Sequence, residues 1–418
     1  MNSREKFPQI ASSVEKIVAQ TPILDIHTHL YAPAFSDLLL FGIDELLVYH
    51  YNVSEACRLF DFSPEKFSSL SKTQQADHVW DVLFVQNTPF SEAARGVVTV
   101  LNKFGIEPRQ NDLAKLRAHF AAQNPDAHVS RCMEIAGVSQ ICMTNSPFDA
   151  LEAPVWNDYG GDERFLAALR IDPLLVDWPG VVEGLQNAQF GDSYDVQLDL
   201  SGQTMSEIQR FLRDWSAKMG AQYVMVSLPP DFAYPANTAT AKIIEGAVLP
   251  FCRESGLPFA LMMGVKRGVN PALGLAGDGV GRSDLTALQN LCAQNGDVKF
   301  LATVLSRENQ HELCVLGRKF PNLHVFGCWW FSIVPVLMDE ITRMRLELLG
   351  PSFTPQHSDA RVMEQIIYKW DHTREKLGEI LTEKYTDLAA RGWNVGEAEI
   401  RRDVEGFFGG HFQTFLAK

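Results

Sequence analysis

The sequence predicts an α/β chain folded as a closed (β/α)8 (TIM) barrel, with a helical insertion after the first strand and helices at the C-terminus. Three observations carry this. Short runs of Val, Ile, Leu, Phe and Met recur, bounded by Gly, Pro, Asn or Asp. Each is followed by a more polar stretch with apolar residues at helical spacing, and such alternation implies a parallel sheet. Eight repeats suit a sheet closed on itself, and 418 residues with 46% hydrophobic content suit one large barrel carrying insertions.

The elements follow in order. Residues 1–20 are polar and helical in pattern, without the apolar centre of a leader peptide. The first strand is expected at Ile23 to Ile26. Residues 31–137 then form the insertion, with helical patterns at Gln74 to Phe84, Ser91 to Phe104 and Asp112 to Ala122, too apolar to be disordered. Strands two to five are expected at Ser139 to Thr144, Phe165 to Ile171, Tyr223 to Ser227 and Pro258 to Met263. Strands six to eight follow at Val298 to Val304, Leu323 to Gly327 and Ser352 to Gln356. Helical stretches fit between them at Met205 to Met219, Ala239 to Cys252, Ser283 to Ala293, Glu308 to Arg318 and Val336 to Leu348. The tail, residues 360–418, holds two more, Ala360 to Leu388 and Val395 to Phe407, and the whole of 1–418 reads as one domain.

Charge and cysteine content narrow the function. A formal net charge of -14 argues against nucleic acid and anionic membranes as partners, while local arginines can still bind a small anionic substrate. The seven cysteines are scattered, with no CxxC pair, and read as reduced thiols. No apolar run is long enough to span a bilayer, so a cytoplasmic location is expected.

The chemistry concentrates at the predicted C-terminal ends of the strands, where such barrels place their active sites. Residues i and i+2 of a strand share a face, so His27 and His29 leave the first strand side by side and can share one divalent metal ion. Asp359 follows the eighth strand, the neighbour of the first in a closed barrel, and can supply a third ligand. It can equally cap a helix starting at Ala360. Arg170 closes the third strand, and Arg267 and Arg307 follow the fifth and sixth, where a guanidinium suits a substrate carboxylate or a local salt bridge. Trp329 and Trp330 follow the seventh and can wall a pocket or pack between helices. Tyr49-His50-Tyr51 reads from the residues alone as an aromatic cluster packing the insertion onto the barrel, although a His beside a phenol, His50 with Tyr51, can tune it for proton transfer.

Taken in order, these motifs resemble the uronate isomerase (glucuronate isomerase) family of the amidohydrolase superfamily, as a divergent member. Asp25-Ile26-His27-Thr28-His29-Leu30 matches the family's Asp-x-His-x-His-Leu. Val48-Tyr49-His50-Tyr51 resembles its His-Tyr segment, and Asn87-Thr88-Pro89 and Phe104-Gly105-Ile106 resemble two further landmarks. Thr144-Asn145-Ser146-Pro147-Phe148-Asp149 is similar to its Thr-Asp-Asp-Pro-x-Asp, and Leu169-Arg170-Ile171-Asp172-Pro173 takes the place of its third-strand arginine. Phe326-Gly327-Cys328-Trp329-Trp330-Phe331 and Ser358-Asp359-Ala360-Arg361 resemble its Phe-Gly-x-x-Trp-Trp-Phe and Asp-Ser-Arg. The resemblance implies one divalent ion, commonly zinc, with manganese or another divalent ion as alternatives, on His27, His29 and Asp359. It implies that His50, Tyr51, Asp359 and Arg361 surround a small sugar acid. The reaction implied is an aldose–ketose isomerisation through a cis-enediol, with Tyr51 and His50, or Asp359, as base.

The chain also departs from the family. Met262 replaces a fifth-strand histidine, Leu228-Pro229 replaces a polar pair after the fourth strand, and Ser332-Ile333 replaces Asn-Asp. Apolar groups in place of hydrogen-bonding ones alter which polyol is accepted. A metal-dependent hydrolase or lyase on another carboxylated substrate, and a binding protein without turnover, are the competing readings. The sequence leaves open whether the chain forms a homo-oligomer.

Overall fold

The computed structural model describes residues 8–59, 63–110 and 112–418. Eight parallel strands form one sheet in the order of the chain. They are β1 (Ile23–Thr28), β2 (Val138–Asn145), β3 (Phe165–Arg170) and β4 (Ala221–Leu228). The remaining four are β5 (Phe259–Met263), β6 (Phe300–Val304), β7 (Leu323–Phe326) and β8 (Phe353–Thr354). All eight predicted strands are present. The ring closes through the backbone beyond β8, where Asp359 N donates to His27 O at 3.1 Å and His29 N donates to Ala360 O at 2.7 Å.

The strands bury both faces, which is why they read as continuous apolar runs rather than alternating ones. Alternation persists at the level of packing. Leu24, Ile26, Cys142, Tyr223, Met225, Ala260, Met262 and Leu301 fill the barrel interior. Their neighbours Ile23, Ile141, Val224, Val226, Leu261, Met263 and Val304 pack outward against the helices. At about 1.5–3 kcal/mol for each large apolar side chain removed from water, the two layers dominate the favourable side of folding. The outer ring is amphipathic in turn: the helix Thr204–Met219 buries Ile208, Phe211, Leu212 and Trp215 and stops at Gly220 in the left-handed region.

The insertion is helical, as expected, and includes His50–Leu59, Lys72–Trp80, Glu92–Lys103 and Leu113–Ala121. The long C-terminal helix Gln365–Ala390 packs against the N-terminal helix Pro8–Gln20 and against insertion helices. Beyond the two helices expected in the tail, a last helix, His411–Leu416, sends Phe412 and Phe415 into the interior cluster and so plugs the barrel floor. Gly409, just before it, has φ +127, and a Cβ there would lie 2.6 Å from Leu24 Cβ, so only glycine fits.

A bulge sets up the site. Pairing of β1 with β2 runs Asp25↔Ile141 and then Thr28↔Met143, so β1 carries one extra residue. The bulge reverses the parity set by Leu24 and Ile26, and so turns His27 and His29 toward the interior.

Candidate metal centre and substrate pocket

His27, His29 and Asp359 bring one ligand atom each within 4.8 Å of one another. Asp359 Oδ1 lies 3.6 Å from His27 Nε2 and 3.4 Å from His29 Nε2. Tetrahedral ligands on bonds of about 2.1 Å stand about 3.4 Å apart, so the donor set fits a divalent ion. Asp359 Oδ1 is buried with no hydrogen-bond partner, a cost that such an ion would relieve. Burial pushes the His27 pKa down to about 3, against a partial upward pull from Asp359, and pushes His29 well below the ordinary range. Both rings are therefore neutral lone-pair donors at neutral pH.

Asp359 adopts φ 52, a left-handed backbone unusual outside glycine, and two anchors hold it there. One is the pair of backbone hydrogen bonds that closes the barrel. The other is Asp25, whose Oδ1 accepts from Ser358 N at 3.0 Å and whose Oδ2 accepts from Trp370 Nε1 at 2.8 Å. Complete burial raises the Asp25 pKa to about 6 despite these donors. The helix after the site begins at Gln365 with Glu364 at its N-cap, so Asp359 is not a helix cap.

The insertion and the segment after Asp359 line a cavity that His50 and Arg361 border and the three ligand residues do not, while Tyr51 and Trp330 border a second one. His50 opens the helix His50–Leu59, and its ring lies 4.1 Å from Tyr49, 4.5 Å from Tyr51 and 5.8 Å from Trp330. His50 Nε2, Tyr51 Oη and Trp330 Nε1 are buried and unpartnered. Burial lowers the His50 pKa to about 3 and raises that of Tyr51 well above the phenol range, leaving a neutral imidazole beside a protonated phenol. A cavity of about 400 Å³ is lined by Tyr49, His50, Arg361 and the segment Leu273 to Ala276. Gly327, at φ +64, lies so close to His357 that a Cβ would come within 1.9 Å of the ring.

The arginines separate into two groups. Arg170 and Arg361 are charge neighbours of both His27 and His29. Arg170 also binds Asp172, with Nε and Nη2 at 2.8 and 2.5 Å from Oδ2, so the salt-bridge reading and the site reading of Arg170 hold together. Arg267 and Arg307 are exposed and pair with Asp278 and Glu340, and the structure does not bring either to the cluster. Trp329 is buried in the interior apolar cluster, while Trp330 stacks on Phe331 at 5.1 Å and meets His50.

Several neighbours gave no sequence signal. His357 is fully buried with both ring nitrogens unpartnered, 5.0 Å from the His27 ring. Lys369 is buried with its ammonium 5.8 Å from the Tyr49 ring centre. Met262, in the place of the family's histidine, packs in the barrel interior. All seven cysteines are free thiols. Among the described residues no helix is long and apolar enough to cross a membrane.

A parallel barrel with a histidine pair ending its first strand and an aspartate beyond its last carries, at the C-terminal ends of its strands, a donor set that could hold one divalent ion. The structure is similar to that of a uronate isomerase from Bacillus halodurans, with 45% identity, 100% of this chain and 98% of that one covered, and a TM-score of 0.96. The chain belongs to the uronate isomerase family. A uronate isomerase from Thermotoga maritima (15% identity, 98% and 97% covered, TM-score 0.76) shares the fold. So does a glucuronate isomerase from Caulobacter crescentus (14% identity, 100% and 95% covered, TM-score 0.77). No protein-family profile matches the chain, and no curated protein does.

Proposed function

We propose that this protein is an aldose–ketose isomerase of hexuronates or closely related sugar acids, with one divalent ion, zinc in this reading, held by His27, His29 and Asp359. The observation that carries the reading is the convergence of those three ligand atoms with Arg170 and Arg361, in a chain of the uronate isomerase family. A bound divalent ion would supply Lewis-acid polarisation of substrate oxygens.

The remaining chemistry belongs to the chain. Isomerisation removes the proton on C2 of the open-chain aldehyde, passes through a cis-enediol and returns a proton to C1, with the hydroxyl proton of O2 moving to O1. Tyr51 is held protonated by burial, so it acts as a proton donor to a substrate oxygen and not as the resting base. Asp359 is then the base for the C2 proton. His50, neutral and with Nε2 free, accepts from a substrate hydroxyl. Arg361 stabilises the enediolate oxygen, and Arg170, with one face on Asp172, binds the C6 carboxylate. The buried, unpartnered atoms of His50, Tyr51 and Trp330 give a polyhydroxylated ligand partners to satisfy.

The test is a panel of hexuronates incubated with zinc-loaded and chelator-treated protein, with products followed by NMR. Ketose formation by the loaded protein alone supports the reading. Carbon dioxide release or a hydrolysed product would replace it with a lyase or hydrolase, and absence of turnover with binding would leave a binding protein.

A further inference from the structure

The two metal-site histidines share a feature on their far side. Tyr223 Oη, from β4, donates to the backbone oxygen of Ile26 at 2.8 Å and lies 3.2 Å from His27 Nδ1. Thr144 Oγ1, from β2, donates to the backbone oxygen of Thr28 at 2.7 Å and lies 3.0 Å from His29 Nδ1. A hydroxyl has one proton, and a carbonyl oxygen can only accept. Each hydroxyl has therefore spent its proton on the β1 backbone and can only accept from the imidazole. That requires Nδ1–H on both rings and leaves both Nε2 lone pairs free, the atoms that face Asp359 Oδ1. The thiol of Cys142 also borders Tyr223 Oη, but a thiol is a poor acceptor beside a carbonyl at 2.8 Å and does not reverse the direction.

We infer that Tyr223 and Thr144 are positioning residues that fix His27 and His29 in the Nδ1–H tautomer and present both Nε2 atoms to the metal. The inference rests on the metal site proposed above. Two strands, β2 and β4, solve the same problem with different residues: each anchors to the carbonyl one residue before the histidine it serves. Both hydroxyls are buried, so water cannot substitute for them at no cost. Aligned imidazoles bind metal without a tautomer change or ring rotation, and partners of this kind are worth about 10–100-fold in metal affinity.

The experiment uses the full-length protein, the variants Tyr223→Phe and Thr144→Val, and the conservative variant Thr144→Ser. Zinc affinity is measured by competition with a chromophoric chelator, and histidine tautomers in metal-free wild type by NMR of 15N-histidine-labelled protein. The expected result is a pyridine-like Nε2 and a protonated Nδ1 on both rings. Tyr223→Phe and Thr144→Val should each bind zinc about 10–100-fold more weakly, with Thr144→Ser restored to near wild type. A protonated Nε2 in the metal-free wild type, or zinc binding by both variants within about two-fold of wild type, would overturn the inference. If wild type binds no zinc, the metal reading falls, while the NMR measurement still decides the tautomers. If Tyr223→Phe does not fold, Thr144→Val and the wild-type spectrum decide.

Discussion

Adding zinc to the metal-free protein should release almost no protons from the two histidines, even in mild acid. An imidazole in water has a pKa near 6.5, so at pH 6 two ordinary ligand histidines carry, and release on binding, about 1.5 protons. In this fold burial has lowered His27 to about 3 and His29 well below its ordinary value, so both enter binding already neutral. Asp25, raised to about 6 by burial beside the site, can contribute at most about half a proton at that pH. The same shift sets the affinity profile. At pH 5.5 an ordinary pair is about one-hundredth doubly neutral and loses about 100-fold in affinity, whereas this pair loses almost none. Isothermal titration at pH 6 in two buffers of different ionisation enthalpy counts the protons, and the expected count is about 0.5 or fewer. Release of about 1.5 protons would show that the rings are protonated in the metal-free protein, and would refute the reasoning from burial.

Three further expectations follow from the packing. Asp25→Asn puts an amide donor against Ser358 N or Trp370 Nε1, costs about 1–3 kcal/mol and loosens the Asp359 turn. Urea denaturation and zinc content together should both fall, and an unchanged pair would remove Asp25 from the account. Glu152 is buried and accepts from Tyr31 Oη at 3.0 Å and Ser146 N at 2.9 Å, yet burial raises its pKa to about 7. The fold thus favours its protonated form, so its contribution is fully present below about pH 4.5 and is lost as pH rises to about 7, on the order of 3 kcal/mol. Glu152→Gln should flatten the pH dependence of denaturation over that window, and an unchanged slope would contradict the shift. Phe412→Ala empties the barrel floor and should destabilise by about 3–5 kcal/mol, read by urea denaturation, while a change under about 1 kcal/mol would mean that the last helix is not a plug.

The strands were legible because a parallel strand buried on both faces is a continuous apolar run, and all eight such runs became strands. The histidine pair and Asp359 were legible because barrel topology alone brings the ends of the first and last strands together. What was not legible depends on geometry that crosses the sequence. Strand periodicity puts His27 and His29 on one face, but a bulge after Asp25 decides which face that is. The helical pattern after Asp359 starts five residues later than Ala360, because Asp359 is held at positive φ by the barrel closure. Arg267 and Arg307 sit at strand ends in the sequence, yet Asp278, in the segment between β5 and β6, and a helix carboxylate, Glu340, claim them at the surface. Tyr223 looks like an ordinary strand residue in the sequence, and Thr144, although it opens a family-like motif, shows no link to a histidine there, since the partners of both lie on another strand.

With a metal ion on His27, His29 and Asp359, the proposed enzyme moves a proton between C2 and C1 of a sugar acid. The direct measurement is zinc-loaded protein with glucuronate in deuterated water, followed by NMR and mass spectrometry. The account predicts fructuronate, with solvent deuterium at C1 of the ketose or C2 of the recovered aldose wherever the transferred proton exchanges, and loss of the reaction in Asp359→Asn. Unchanged sugar across the hexuronate panel, with one zinc bound per chain, would contradict it.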